Sequence, residues 1–202
     1  MNKKWSVLAI CAAMYGANLS AQEQHSEWQF GGRVGTLSID SDSAQQEGID
    51  DTAYLVGGYV DYIQNGWVTS INLDIAVYDD NEEFEQLVEG DGVFNDGDRS
   101  YESSDASAVL ISIATGYQWS FGEDDSVSTR AQAGFTAVVA SERSISFCSD
   151  CFSEDIDIDG GAFVKASLEK DTGPVTIGLY YQQFLASDGL SNSFGLNISG
   201  GF

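Results

Sequence analysis

The chain has 202 residues, enough for one domain, and carries 32 Asp and Glu against 8 Lys and Arg, a formal net charge of −24. So acidic a protein repels nucleic acid and bare anionic surfaces, which excludes a nucleic-acid role. The charge fits either a solvated acidic surface or the binding of divalent cations.

Lys3 and Lys4 open the chain, WSVLAICAAMYGA follows as an apolar run, and NLSA ends in a small residue. This is the layout of a secretory signal peptide cut after Ala21, and the run is short for a transmembrane helix. The expected organisation is therefore a signal peptide over 1–21 and one domain over 22–202. A lipoprotein reading would use LAIC at Cys11, and Ile10 beside that Cys disfavours it. Removing 1–21 takes away two Lys and no acid, leaving 6 basic against 32 acidic residues, or −26. Cys148 and Cys151 remain, and in an oxidising compartment such a pair forms a disulfide.

No later segment has eighteen consecutive apolar residues, so no helical span is expected. Period-two alternation recurs instead, in eight segments. The first sets Trp28, Phe30, Gly32 and Val34 against Gln29, Gly31, Arg33 and Gly35. The second sets Tyr54, Val56, Gly58, Val60 and Tyr62 against Leu55, Gly57, Tyr59 and Asp61. The third, the cleanest, opposes Trp67, Thr69, Ile71, Leu73, Ile75 and Val77 to Val68, Ser70, Asn72, Asp74, Ala76 and Tyr78. The fourth runs from Val109 to Trp119 and the fifth from Val127 to Val139, with Arg130 on its polar face. The sixth places Ile158, Gly160, Ala162 and Val164 opposite Asp159, Gly161, Phe163, Lys165 and Glu169. The seventh spans 175–182, and the eighth is SFGLNISGGF, ending in Phe202.

The connections alternate in length. IQNG, SFGEDD and KDTGP are short, and Asn65-Gly66 suits a tight hairpin. Between them lie long polar segments, among them the 28-residue stretch 79–106. Short turns at one end and long loops at the other describe a transmembrane β-barrel. A soluble ligand-binding barrel also alternates, with its apolar face turned inward, so the contents of the faces matter. The polar face carries Arg33, Asp61, Asp74, Arg130, Lys165 and Glu169. Trp28, Tyr62, Trp67, Tyr117, Trp119 and Phe202 gather at the short-turn end of the apolar face, with Tyr54, Tyr181 and Phe194 at the other. Two aromatic belts around an aliphatic band are what a bilayer selects.

These features together resemble the small eight-stranded outer-membrane barrels of Gram-negative bacteria, the OmpA-transmembrane-domain, OmpX and Ail type. The resemblance covers the whole mature chain and rests on architecture rather than on a residue fingerprint. It implies an all-β, eight-stranded antiparallel up-and-down barrel in the cell outer membrane, with a periplasmic N-terminus. It also implies that Phe202 serves as an insertion signal read by the barrel-insertion machinery. Outer-membrane lipid and lipopolysaccharide are the expected surroundings.

Eight strands enclose a lumen that side chains can fill. Arg33, Asp74, Arg130 and Lys165, with Asp61 and Glu169 nearer the periplasmic end, are expected to form a buried ion-pair network. The alternative is that Asp61 and Glu169 merely meet water at the barrel mouth. In FCSDCF no second CxxC and no His follows, so Cys148 and Cys151 read as a loop-tip disulfide rather than a zinc half-site. DIDIDG places Asp155, Asp157 and Asp159 before Gly160 as a calcium loop would, but Ala166 stands where that loop needs an acid. Diffuse divalent-cation binding by the acidic second loop, from Asp79 to Asp105, is the stronger metal reading. The sole His, His25, precedes the first strand and offers no Ser a base, so catalysis is not expected.

The expected role is that of a monomer without cofactor or fixed metal site. It serves envelope structure, adhesion or surface interaction through acidic extracellular loops. A narrow channel for small solutes is the alternative, and a soluble secreted ligand-binding barrel is a second.

Overall fold

A computed structural model describes residues 26–89, 99–122, 126–145, 151–187 and 189–201. The strict alternation of the third segment shows why it folds as it does. Along β3 (Trp67–Asp80), Ile71 is 56% exposed, Asn72 2%, Leu73 54% and Asp74 1%. Successive side chains of a strand leave opposite faces, so one face is wholly apolar and outward, the other polar and enclosed.

The same pattern builds β1 (Ser26–Ile39), β2 (Ile49–Gln64), β6 (Asp105–Phe121), β7 (Val127–Ser144), β9 (Gly161–Asp171), β10 (Thr176–Ser187) and β11 (Leu190–Gly201). Each pairs antiparallel with the next, and β1 pairs with β11 from Gln29↔Gly201 to Ile39↔Leu190. That last pairing closes an eight-stranded barrel. Closure pairs the edges that an open sheet would present to lipid. Asn65 and Gly66 take positive φ, +52° and +81°, which is the twist that a two-residue hairpin turn requires.

At the short-turn end the belt aromatics pack in two groups: Trp28 lies 4.9 Å from Tyr62, and Trp67 5.8 Å from Tyr117, itself 5.1 Å from Trp119. Tyr54, Tyr181 and Phe194 are exposed toward the other rim. Apolar residues outside and charges inside overturn the soluble ligand-binding barrel, which requires the opposite arrangement.

The long-loop end is more than polar connection. After β1, α1 (Ser41–Glu47) starts at Asp40, whose side chain accepts from the Asp42 N–H at 3.1 Å, and ends at Gly48 with φ +68°. Its Ala44 is buried. Beneath it Leu37, Leu55, Leu110, Phe163 and Phe184 fill the lumen, with Ile156 and Ile158 added from the third loop. Each such side chain contributes roughly 1.5–3 kcal/mol on burial. The second loop carries a hairpin, β4 (Glu85–Glu89) with β5 (Arg99–Ser103), in the register Leu87↔Tyr101. Phe84 at its base packs 5.3 Å from Phe152 of the third loop, which holds the short β8 (Ser153–Asp155).

One segment departs from its expected phase. The alternation of the sixth segment predicts Ile158 toward lipid and Asp159 toward the lumen, whereas Ile158 is buried in this apolar core and Asp159 is exposed. β9 starts only at Gly161, because the core draws Ile156 and Ile158 inward before the barrel phase is set.

Candidate functional site

The lumen has two storeys, the apolar one above and a polar one toward the short turns. Arg33 on β1 sits beside Asp74, two strands away on β3, and gives it two hydrogen bonds, from Nε at 2.5 Å and from Nη2. Both side chains are buried. Gly57 on the intervening β2 makes this pair possible, since a Cβ there would strike the Asp74 carboxylate. The Arg33 guanidinium also lies 5.5 Å from the centre of the Tyr180 ring.

Arg130 organises a second group. Its Nη1 donates to Asp61 at 2.5 Å, Nη2 to Gln29 at 2.7 Å and Nε to Gln118 at 2.8 Å, with Glu169 2.9 Å from Nη2. Glu169 accepts from Asn197 at 3.0 Å and Ser167 at 3.3 Å. Asp61 and Glu169 are buried, so the reading in which they merely meet water at the barrel mouth does not hold. Two carboxylates around one guanidinium, each with further polar neighbours, form the arrangement that makes buried charge tolerable.

Lys165 takes no part in these ion pairs. Its Nζ lies 5.5 Å from the Tyr180 ring, on which Arg33 also sits. The six charges anticipated on the polar face thus gather as two ion-paired groups, with Lys165 against an aromatic ring and within coulombic reach of both.

A further residue escapes sequence reasoning. Arg143, near the end of β7, donates from Nε to Asp80 at 2.6 Å, from Nη1 to Glu154 at 2.9 Å, and from Nη2 to the Glu47 carbonyl at 2.9 Å. These partners come from the end of β3, the third loop and the C-terminus of α1, so one guanidinium clasps three long connections. The Asp80 bond comes first among the influences that hold the Arg143 guanidinium above its ordinary pKa. The inward phase of the fifth segment, carried on from Thr136, falls on Glu142 and misses Arg143; a bulge, where β7 fits an extra residue between the partners of Val109 and Leu110, shifts the phase and turns Arg143 inward. The one visible signal was a lone Arg amid acidic loop sequence.

Arg143→Ala is expected to speed amide exchange in α1 by about tenfold or more, while the barrel strands exchange as before. Hydrogen-exchange mass spectrometry checks this.

Among the described residues, no three His, Cys, Asp or Glu gather as metal ligands. Asp155, Asp157 and Asp159 face outward while Ile156 and Ile158 face in, so strand-like alternation sets their spacing. His25, Cys148 and Phe202 lie outside the described residues, as do Asp91, Asp96 and Asp98 of the second loop.

No protein-family model and no curated protein sequence matches the chain. Solved structures do. Ail, the attachment invasion locus protein of Yersinia pestis, in complex with the heparin analogue sucrose octasulfate, aligns with TM-score 0.50 at 16% identity, covering 90% of this chain and 100% of that one. Neisserial surface protein A aligns with TM-score 0.49 at 9% identity over 90% of this chain and 100% of that one. OprG from Pseudomonas aeruginosa aligns with TM-score 0.44 at 11% identity over 89% and 97%. At these identities the likeness is one of fold. The chain thus has the fold of the Ail structure, with the closed eight-strand wall, enclosed charges and outward apolar girdle of a membrane-spanning β-barrel.

Proposed function

We propose that this barrel is a closed surface protein, working through its extracellular cap in envelope structure, adhesion or surface interaction rather than by conduction or catalysis. The observation that carries the reading is the apolar storey. Between it and the polar storey, the cavity bounded by Arg33, Leu55, Asp74 and Phe184 has only about 10 Å³, room for at most one water. Ions have no wet path through such a layer. In planar bilayers the purified protein is expected to give no unitary conductance. Steady single-channel steps that vanish when nothing but lumen-facing side chains is enlarged would restore the channel reading.

The cap is a platform of carboxylates. Asp50, Asp51, Glu82, Glu83, Glu85 and Glu154 are exposed there, while the basic side chain described at this end, Arg143, is buried. The polysulfated sugar bound in the Ail structure is therefore a poor guide to this chain. Partners of positive charge fit this surface, as do divalent cations bridging its carboxylates to lipopolysaccharide phosphates. The full-length protein in nanodiscs should pass a heparin column unretained and bind a lysine-rich peptide in a salt-sensitive way, with binding lost on deleting 84–104. Retention on heparin would contradict the charge argument.

The rest of the proposal reaches residues outside the described set, with Cys151 inside it. The 1–21 signal directs export, Phe202 aids insertion, and a Cys148–Cys151 bond ties the third loop. Intact-mass analysis with thiol alkylation tests that bond, and two alkylated cysteines in exported protein would remove it.

A further inference from the structure

The barrel wall has a gap. β7 is paired with β6 along its length, including Ala137↔Ile111, Val138↔Leu110 and Ala140↔Val109. On its other side, pairing with β9 stops at Thr136↔Gly161, and contact with the third loop resumes only at Ser141, whose carbonyl accepts from the Ile156 N–H at 3.0 Å. Between these points the chain from Ile156 to Gly160 turns into the lumen. A cleft of about 630 Å³ is left, lined by Phe135, Val138, Asp159, Gly160 and Ser187 among others. Its rim is apolar and outward: Phe135 and Val139 on β7 and Leu185 on β10 are among the exposed hydrophobic residues. Val138 packs on the apolar core, so the cleft ends blindly and does not open into the lumen.

Backbone groups at the edge of a strand need partners wherever lipid replaces water. From Ala137 to Ala140 alternate N–H and C=O groups turn to β6 and the others toward the gap, across which the described residues form no strand pairing, at a height where the neighbouring side chains are lipid-facing. An occupant must therefore donate and accept at the root of its apolar part. A glycerophospholipid carries esters there, which only accept. Lipopolysaccharide carries amides and hydroxyls there, which do both. Among the described residues that line the cleft the charged one is Asp159, which repels phosphate, so the acyl roots rather than the phosphates match it.

We propose that this cleft seats one lipopolysaccharide molecule, its amide and hydroxyl groups pairing with the open edge of β7 at Ala137–Ala140 beside Asp159 and Ser187. The site rests on the outer-membrane reading above, and the test separates the two. The mature protein is placed in phosphatidylcholine nanodiscs alone, with phosphatidylethanolamine, or with lipopolysaccharide, and amide exchange is followed over 137–141. Lipopolysaccharide should slow the amides of this stretch that face the gap at least tenfold and phosphatidylethanolamine should not. Ala137→Trp, which covers the cleft from the lipid side, should abolish the difference, and Asp159→Asn should retain or deepen it. Equal exchange in all three discs would show that water fills the gap and would overturn the site. Equal protection by phosphatidylethanolamine would overturn the choice of lipid. A barrel that failed to enter discs, or lacked the gel shift between boiled and unboiled samples, would sink the membrane reading itself. Should Ala137→Trp fail that gel test, the comparison of discs with the unsubstituted protein still decides.

Discussion

Replacing Arg130 by Met is expected to lower the stability of the barrel by about 3–5 kcal/mol, the largest effect of any single lumen substitution, because it leaves two carboxylates buried without their cation. Asp61 and Glu169 both depend on this guanidinium, and Gln29 and Gln118 lose a donor with it. Asn197 and Ser167 would still serve Glu169, but they supply no charge. Adding Asp61→Asn and Glu169→Gln to Arg130→Met removes the orphaned charges and should recover a large part of the loss. Urea unfolding in lipid vesicles, followed by tryptophan fluorescence, measures both. A single substitution with an unchanged midpoint would mean that Arg130 holds nothing together.

Leu73→Arg is expected to cost about 2–4 kcal/mol and Thr69→Arg only about 0–1, although both positions lie on the outer face of the same strand. Leu73 stands in the middle of the lipid-facing run from Trp67 to Val77, whereas Thr69 lies two residues from the aromatic belt at the short-turn end. An arginine at Leu73 must carry its charge into hydrocarbon; one at Thr69 reaches the interface by extending its chain. On a soluble barrel both would be surface substitutions of nearly equal and small effect. The ratio between them therefore reports depth, and the same unfolding assay reads it.

The wall of the barrel was legible because its rule is local. A period of two with lipid on one side constrains every residue of Trp67–Tyr78, and the turn at Asn65-Gly66 announces itself. The polar face told which charges enter the lumen, but not which meet. Arg130 joins Asp61 across four strands in sequence order, and such partners depend on strand tilt and stagger, which no segment reveals by itself. The cap was hidden for another reason. Ile39, Ile49, Ile156 and Ile158 stand among acids and small polar residues, spaced by no single period, and only the closed wall brings them together over Leu37 and Phe163. α1 is seven residues long, too short to impose a helical pattern, and is held by Asp40, Gly48 and Arg143 rather than by its own propensity.

The account rests on one orientation: apolar residues to lipid, charged residues to a closed lumen. Nitroxide labels placed one at a time at residues 69–76 of β3, in nanodiscs, test it directly by their collision with oxygen and with a water-soluble nickel chelate. The account predicts a period of two, with labels at Ile71, Leu73 and Ile75 open to oxygen and shielded from nickel, and labels at Ser70, Asn72 and Asp74 poorly reached by either. Nickel access at Ile71, Leu73 and Ile75 equal to that of a label in the long loops would contradict it.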